Sequence, residues 1–242
     1  MDAIKIEGLT KKYRDVVAVD NLSLSIAEGE LFSLLGVNGA GKTTTIKMLS
    51  CLTKPTSGDA YLLGSSICKD APGVKSVIAV SPQETAIASG LTVKENLELI
   101  CGVYGFSKDK RDAKINELAS LLGLDSILTR KAGKLSGGWK RRLSIAMALI
   151  SEPKILFLDE PTLGLDVIAR SDLWGIIRAL KGRVTIILTT HYMEEAEALS
   201  DRIAIMRDGK LLICDTADEI KKAADTDRFE EAFIRIVKGV EK

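Results

Sequence analysis

No two of the four cysteines are close enough in sequence to form a C-x-x-C pair; Cys51, Cys68, Cys101 and Cys214 are widely scattered. Neither a zinc site nor a disulfide framework is therefore expected, and that fits a reducing cytosol. An excess of either charge is also missing. Lys and Arg number 34 against 33 Asp and Glu, a net charge of +1, so composition gives no reason to expect a nucleic-acid partner. No apolar run approaches the ~20 residues that cross a bilayer. The opening residues, MDAIKIEGLTKKYRD, are charged too early for a signal peptide. The chain thus reads as soluble, with any membrane contact made through a partner. Internal repeats and low-complexity linkers are lacking, and histidine occurs once, at position 191. What remains is 242 residues, 46% hydrophobic and 28% charged. That is enough for one sizeable α/β domain with a packed core, or one domain plus a subdomain.

The strongest positive feature lies between residues 31 and 50, LFSLLGVNGAGKTTTIKMLS. An apolar run, Leu31 to Leu35, ends in the turn Gly36-Val37-Asn38-Gly39-Ala40-Gly41-Lys42-Thr43, and a helix-forming stretch follows. This is a G-x-x-x-x-G-K-[ST] phosphate loop with a strand before it and a helix after it. Glycines let backbone N–H groups turn inward onto phosphate oxygens without a Cβ in the way. The new helix aims its positive end at the same phosphates. The turn from Gly36 through Asn38, Gly39, Ala40 and Gly41 to Thr44 is the expected ATP cradle. Lys42 supplies charge for the β- and γ-phosphates, and the Thr43 hydroxyl is placed to ligate Mg²⁺.

Upstream, residues 3 to 35 alternate in short runs, AIKIEGL, VVAV, LSLSI and LFSLL. They read as a small antiparallel sheet feeding the phosphate-loop strand. Tyr13 is either a half-buried strand tyrosine or a flat aromatic on which adenine stacks. Thr56 to Asp59 reads as a turn. Ser76 to Val80 reads as a short strand stopped by Pro82, which leaves Gln83 just past its end. If that strand is parallel, Gln83 lies in the ligand crevice of an open α/β sheet.

Residues 91 to 151 change to helical spacing, an inserted helical subdomain ending in Ser136-Gly137-Gly138-Trp139-Lys140-Arg141-Arg142. Ser-Gly-Gly before a helix is a second set of exposed N–H groups at a positive helix end. The basic residues after it read as an ordinary solvated face. Ile155 to Leu158 is a buried parallel strand with Asp159 and Glu160 at its C-terminal end. Asp159 is placed to hold Mg²⁺ through water, and Glu160 to orient or deprotonate the attacking water. Asp166 suits a helix cap. RVTIILTT reads as another buried strand, ending at His191; a lone histidine is more often structural than catalytic, but a place directly after a strand of the same sheet favours a catalytic role. EEAEALS reads as a helix, DRIAIMRDGKLLI as a hairpin turning at Asp208-Gly209, and Ala217 to Lys242 as two helices.

Taken in order, GVNGAGKTT, the Gln of SPQE, LSGGW, ILFLDEP, TLGLD and the lone His of TTHYMEEAEALSDRI resemble the ATP-binding subunit of ABC transporters over residues 1 to about 215. The wording LTVKENL, GGWKRR and HYMEEAEALSDR resembles the half-size exporter class that serves drugs, antibiotics or lipids. Trp139 stands where the family's signature usually has Gln. The resemblance implies an α/β P-loop NTPase core with an N-terminal antiparallel β subdomain and an inserted α-helical subdomain. It divides a single domain, 1–242, into 1–90 and 152–215 as core, 91–151 as helical subdomain and 216–242 as a C-terminal helical tail. It also implies that Gln83 joins Thr43 and Asp159 at Mg²⁺ and Glu160 and His191 in catalysis. Two such subunits, identical or different, would face each other so that Ser136, Gly137 and Gly138 of one complete the ATP site of the other. A separate membrane permease would carry the substrate, with this chain on the cytoplasmic face. Soluble relatives without a permease are the alternative. The DNA-repair type needs a coiled-coil insertion and the ribosomal type two domains, neither present; the iron–sulfur-assembly type is of similar size and stays open. A GTPase or kinase leaves LSGG and His191 unexplained and would need an N-K-x-D motif. A non-hydrolysing regulatory module fits poorly with an intact Glu160.

Overall fold

Two twelve-residue strands open the chain, β1 (Asp2–Tyr13) and β2 (Val16–Ala27), paired antiparallel. They are described, with the rest of residues 1–239, by a computed structural model; the last three residues of the expected tail, 240–242, lie outside the described residues. VVAV and LSLSI, expected as separate runs, belong to one strand. Asn21 takes a left-handed conformation (φ 51°) inside it and the register slips nearby, so a bulge does what a turn was expected to do. β3 (Leu31–Leu35) leaves this layer for a second sheet, and the phosphate loop leads from it into α1 (Lys42–Leu49).

Further along come β4 (Ser57–Leu62), β5 (Ser65–Ser66), α2 (Ala71–Val77) and β6 (Ile78–Ser81). Two expectations fail here. Thr56–Asp59 is not a free turn: Ser57 to Asp59 belong to β4 and pair with Thr10 and Glu7 of β1 across a register shift. Ser76 and Val77 are helical rather than extended. Asp70 caps Gly73 N at 3.0 Å, Pro72 sits in the first turn, and the helix nucleated there runs on to Val77.

The helices α3 (Val93–Val103), α4 (Lys108–Leu122) and α5 (Gly137–Leu149) follow. Thr92 and Glu95 form a capping box at the start of α3, and Gly123 closes α4. Then come β7 (Ile155–Asp159), α6 (Val167–Leu180), β8 (Thr185–Thr190), α7 (Met193–Leu199), β9 (Arg202–Arg207), β10 (Lys210–Asp215), α8 (Ala217–Ala223) and α9 (Phe229–Lys238).

The first sheet has the order β2-β1-β4-β5, the second β10-β9-β3-β8-β7-β6, parallel except for the edge hairpin β9–β10. β3, β7 and β8 are buried along their whole length, which is why they read as largely apolar runs rather than alternating ones. Three cores result. Ile4, Ile6, Leu22 and Ile26 of the antiparallel sheet pack over Phe32, Phe157, Ile187 and Met206. Leu156, Leu158, Ile186 and Leu188 on the other face pack against α3 to α6 through Leu97, Leu118, Leu143 and Leu173. The tail helices cover Leu35, Ile203 and Ile205 with Ile220, Phe229 and Phe233.

Candidate active site

The C-terminal ends of β3, β6, β7 and β8 meet at one cleft of about 600 Å³. Its floor is the phosphate loop. Gly36 is obligatory because an added Cβ would lie 2.4 Å from the Met206 carbonyl oxygen. Gly41 has φ +103°, and a Cβ there would lie 2.5 Å from Ala18 O. Asn38, Gly39, Ala40, Gly41, Lys42, Thr43 and Thr44 all face the cleft.

Lys42 is only 5% exposed. Its ammonium bends back to donate to Gly36 O at 2.8 Å and Val37 O at 3.3 Å, and lies 3.5 Å from Glu160 Oε1. Thr43 Oγ1 donates to Asp159 Oδ1 at 3.1 Å, and Thr189 Oγ1 donates to the same oxygen at 2.5 Å. Glu160 follows with φ +49°, a conformation that costs a non-glycine residue about 1–3 kcal/mol. The Thr189 carbonyl and hydroxyl oxygens hold it there by accepting the Glu160 N–H at 3.1 and 3.0 Å. Its other carboxylate oxygen, Oε2, lies 2.7 Å from His191 Nδ1. One buried carboxylate thus spans the phosphate-loop lysine and the lone histidine.

β6 is parallel to β7, so Gln83 does lie at the crevice, on the cleft wall. Tyr13, at the end of β1, forms the opposite rim with Val16, Val17 and Ala18; it is 45% exposed and carries the Lys11 ammonium 4.9 Å over its ring. Asp166 caps α6 by accepting from Ala169 N at 2.8 Å. Ser136, Gly137 and Gly138 are not brought into this cleft. They start α5, with Ser136 and Gly137 exposed and the Ser136 hydroxyl not used as a cap. Trp139 packs on the helical core, the Arg142 guanidinium lies 4.7 Å over its ring, and Arg142 pairs with Asp172 at 2.8 Å.

Arg141 corrects the expectation of a solvated basic face. It is 5% exposed and donates to Pro82 O at 2.6 Å, Gln83 O at 2.7 Å and Glu160 O at 3.4 Å. Burial pulls its pKa down, opposed by the Asp159 and Glu195 charges. The available signal was position: Arg141 lies three and four residues before Ser144 and Ile145, on the buried face of α5.

The sequence model described as "ABC transporter" matches residues 19–163. A probable multidrug ABC transporter ATP-binding protein of Escherichia coli is 39% identical over 246 residues, covering 99% of this chain and 42% of that protein. A daunorubicin resistance ATP-binding protein of Streptomyces coeruleorubidus is 38% identical over 94% of this chain and 72% of its own length. The chain therefore spans less than half the length of the first of these relatives. Among solved structures, an ATP-binding subunit of an ABC transporter superposes with a TM-score of 0.85 at 26% identity, covering 97% of this chain and 99% of that one. A dimeric ATP-binding cassette in a post-hydrolysis state with ADP and Pi has a TM-score of 0.79 at 28% identity, covering 88% and 98%.

Proposed function

The chain belongs to the ABC transporter family, and from that premise we propose that it is the ATP-hydrolysing subunit of an exporter, driving a separate membrane permease. The Glu160 carboxylate between Lys42 and His191 carries this reading. In the observed arrangement these three groups satisfy one another. A γ-phosphate entering between them takes the Lys42 ammonium, which relinquishes the two loop carbonyls, and the His191 imidazole. Glu160 is then left with an oxygen free to orient or deprotonate a water in line with the terminal phosphate. Tyr13 stacks on the base.

The residues beside the phosphates also suit Mg²⁺: Thr43 hydroxyl, Asp159 carboxylate and the Gln83 amide offer hard oxygens and leave places for water and phosphate. When bound, that ion neutralises charge developing on the β- and γ-oxygens. Thr189 keeps Asp159 oriented for the task.

Ser136, Gly137 and Gly138, displaced from their own cleft, complete the cleft of a second subunit; the dimeric state of the post-hydrolysis relative supports this pairing. An apolar groove of about 480 Å³, lined by Leu52, Val80, Pro82, Ile100, Val103 and Tyr104, borders the Gln83 loop and suits docked permease helices. Among the described residues no helix is long and apolar enough to cross a membrane, so in this reading the permease supplies the crossing and the chain sits peripherally on its cytoplasmic face. The drug-resistance names of the relatives favour export over the iron–sulfur-assembly alternative.

Glu160→Gln tests the reading. The amide keeps the shape and removes the base, so turnover should fall on the order of 10²–10⁴-fold, while ATP still binds and an ATP-trapped dimer accumulates in size-exclusion light scattering. Parental turnover in this variant would assign the water to another residue.

A further inference from the structure

Among the described residues the His191 side chain has one hydrogen-bond partner, Glu160. In the reading above, a γ-phosphate takes the imidazole away from it. The fold supplies a second hold on that ring. The Tyr192 ring lies 4.1 Å from the imidazole, centroid to centroid, tilted by 39°. Neighbours along an extended strand point to opposite faces. Here β8 ends at Thr190 and the chain bends into α7 at Met193, so the two rings meet. Tyr192 is itself anchored through its backbone. Its N–H donates to Thr190 Oγ1 at 3.0 Å, and its carbonyl accepts the Ala196 N–H at 3.3 Å.

The Tyr192 ring also carries a cation. The Arg170 guanidinium of α6 lies 5.2 Å over it, within the range at which a ring face attracts a cation. This contact is the first of three. Arg170, Trp174 and Arg178 recur every four residues and so share one face of α6. They meet Tyr192, Glu195 and Ala198, which recur every three along the segment that opens into α7. Trp174 donates its indole N–H to Oε1 of the fully buried Glu195 at 3.0 Å, and Arg178 donates to Ala198 O at 3.1 Å. Three contacts in step hold α7 against sliding or turning on α6. Tyr192 ends this seam on the side of the cleft, and the histidine is the next residue. Neither Arg170 nor Tyr192 is among the residues that line the cleft, so each acts through His191.

We propose that Tyr192 and Arg170 are positioning residues for ATP hydrolysis: Arg170 pins the Tyr192 ring, and that ring sets the plane of the His191 imidazole, so the histidine keeps its place when Glu160 gives it up. The seam also ties His191 to α6, the helix that begins at the end of the loop after Glu160. A shift at the start of α6 is thereby delivered to the histidine as well as to the glutamate. The effect on turnover rests on the ATPase reading of the cleft; the placement of the imidazole does not.

The test joins proton NMR of the full chain to steady-state ATPase kinetics. Histidine occurs once in the chain, so the imidazole C–H signals report His191 alone. Tyr192→Leu should shift those signals and lower kcat on the order of 10- to 100-fold through misplacement of the reacting group, with KM for ATP moved far less. Tyr192→Phe keeps the ring and should keep the parental signals and most of the rate. Arg170→Met keeps an unbranched stem and removes the cation. It should shift the same signals and lower kcat about 2- to 5-fold. In the Tyr192→Leu background, Arg170→Met should cost nothing further, because the ring it acts through is gone. An equal cost in both backgrounds, unmoved signals and kcat in Tyr192→Leu, or a Phe variant as slow as the Leu variant overturns the proposal. Signals that shift as expected in a chain that never hydrolyses ATP uphold the placement of the imidazole and overturn the ATPase reading instead.

Discussion

Lys42 carries a buried ammonium, which is tolerable only because two loop carbonyls and Glu160 surround it. Hydrogen bonds to charged groups contribute about 1.5–3 kcal/mol, so Lys42→Ala should weaken ATP binding roughly 10- to 100-fold. Titration of the folded variant with a fluorescent ATP analogue measures this, and unchanged affinity would remove Lys42 from the site. In the proposed reading Tyr13, on the rim of the cleft, contributes through its ring. Stacking on a base is worth about 1–3 kcal/mol, so Tyr13→Ala should weaken ATP and GTP binding to similar extents. Loss confined to ATP would mean that the edge of the base is read instead.

The phosphate loop and the acidic end of β7 were legible because their residues carry their own local reasons, a glycine-rich spacing and an acidic pair after a buried run. Arg141 and Glu195 were not. A charge in a helix reads as solvated, and only the packing of distant elements buries these two: α5 against the loop after β6 for Arg141, α7 against α6 for Glu195. The same limit hid β4, whose polar start is extended only because β1 lies beside it. Asp70 and Pro72 are the local exception: an acidic cap followed by a proline in the first turn starts α2 from the sequence itself. At this scale Arg141 is the tie between the α5 helix and the Gln83 loop. Removing its guanidinium strands buried carbonyls, so Arg141→Ala should cost about 2 kcal/mol or more. For a chain of this size that is a Tm drop of roughly 4–8 °C by calorimetry. A Tm within a degree of the parent would mean that the tie bears no strain.

The molecule as a whole carries two glycine-flanked helix N-termini that do not meet, the phosphate loop and the start of α5, and in the proposed reading both act on phosphate. A two-fold pairing, the commonest symmetry of soluble oligomers, would use both. Lys42→Ala and Ser136→Arg placed in separate chains, each with Glu160→Gln, should not form ATP-trapped dimers alone. Mixed, they should give dimers by light scattering, since one intact phosphate loop then faces one intact Ser-Gly-Gly. No recovery on mixing, with a verified monomer turning over ATP at a rate independent of its concentration, would rule out a shared site. The place of β3 in the second sheet has a consequence of another kind. Its hydrogen-bonding neighbours are residues 186–190 on one side and 202–205 on the other. A ribosome that has just released the phosphate loop must add more than 150 further residues before those neighbours exist. At about 5–20 residues per second that is a wait of roughly ten to thirty seconds. Throughout it, LFSLL is an apolar segment with no sheet to enter. The nascent chain is therefore unable to hold nucleotide until its final strands emerge, and chaperone demand during synthesis should fall most heavily on this early segment.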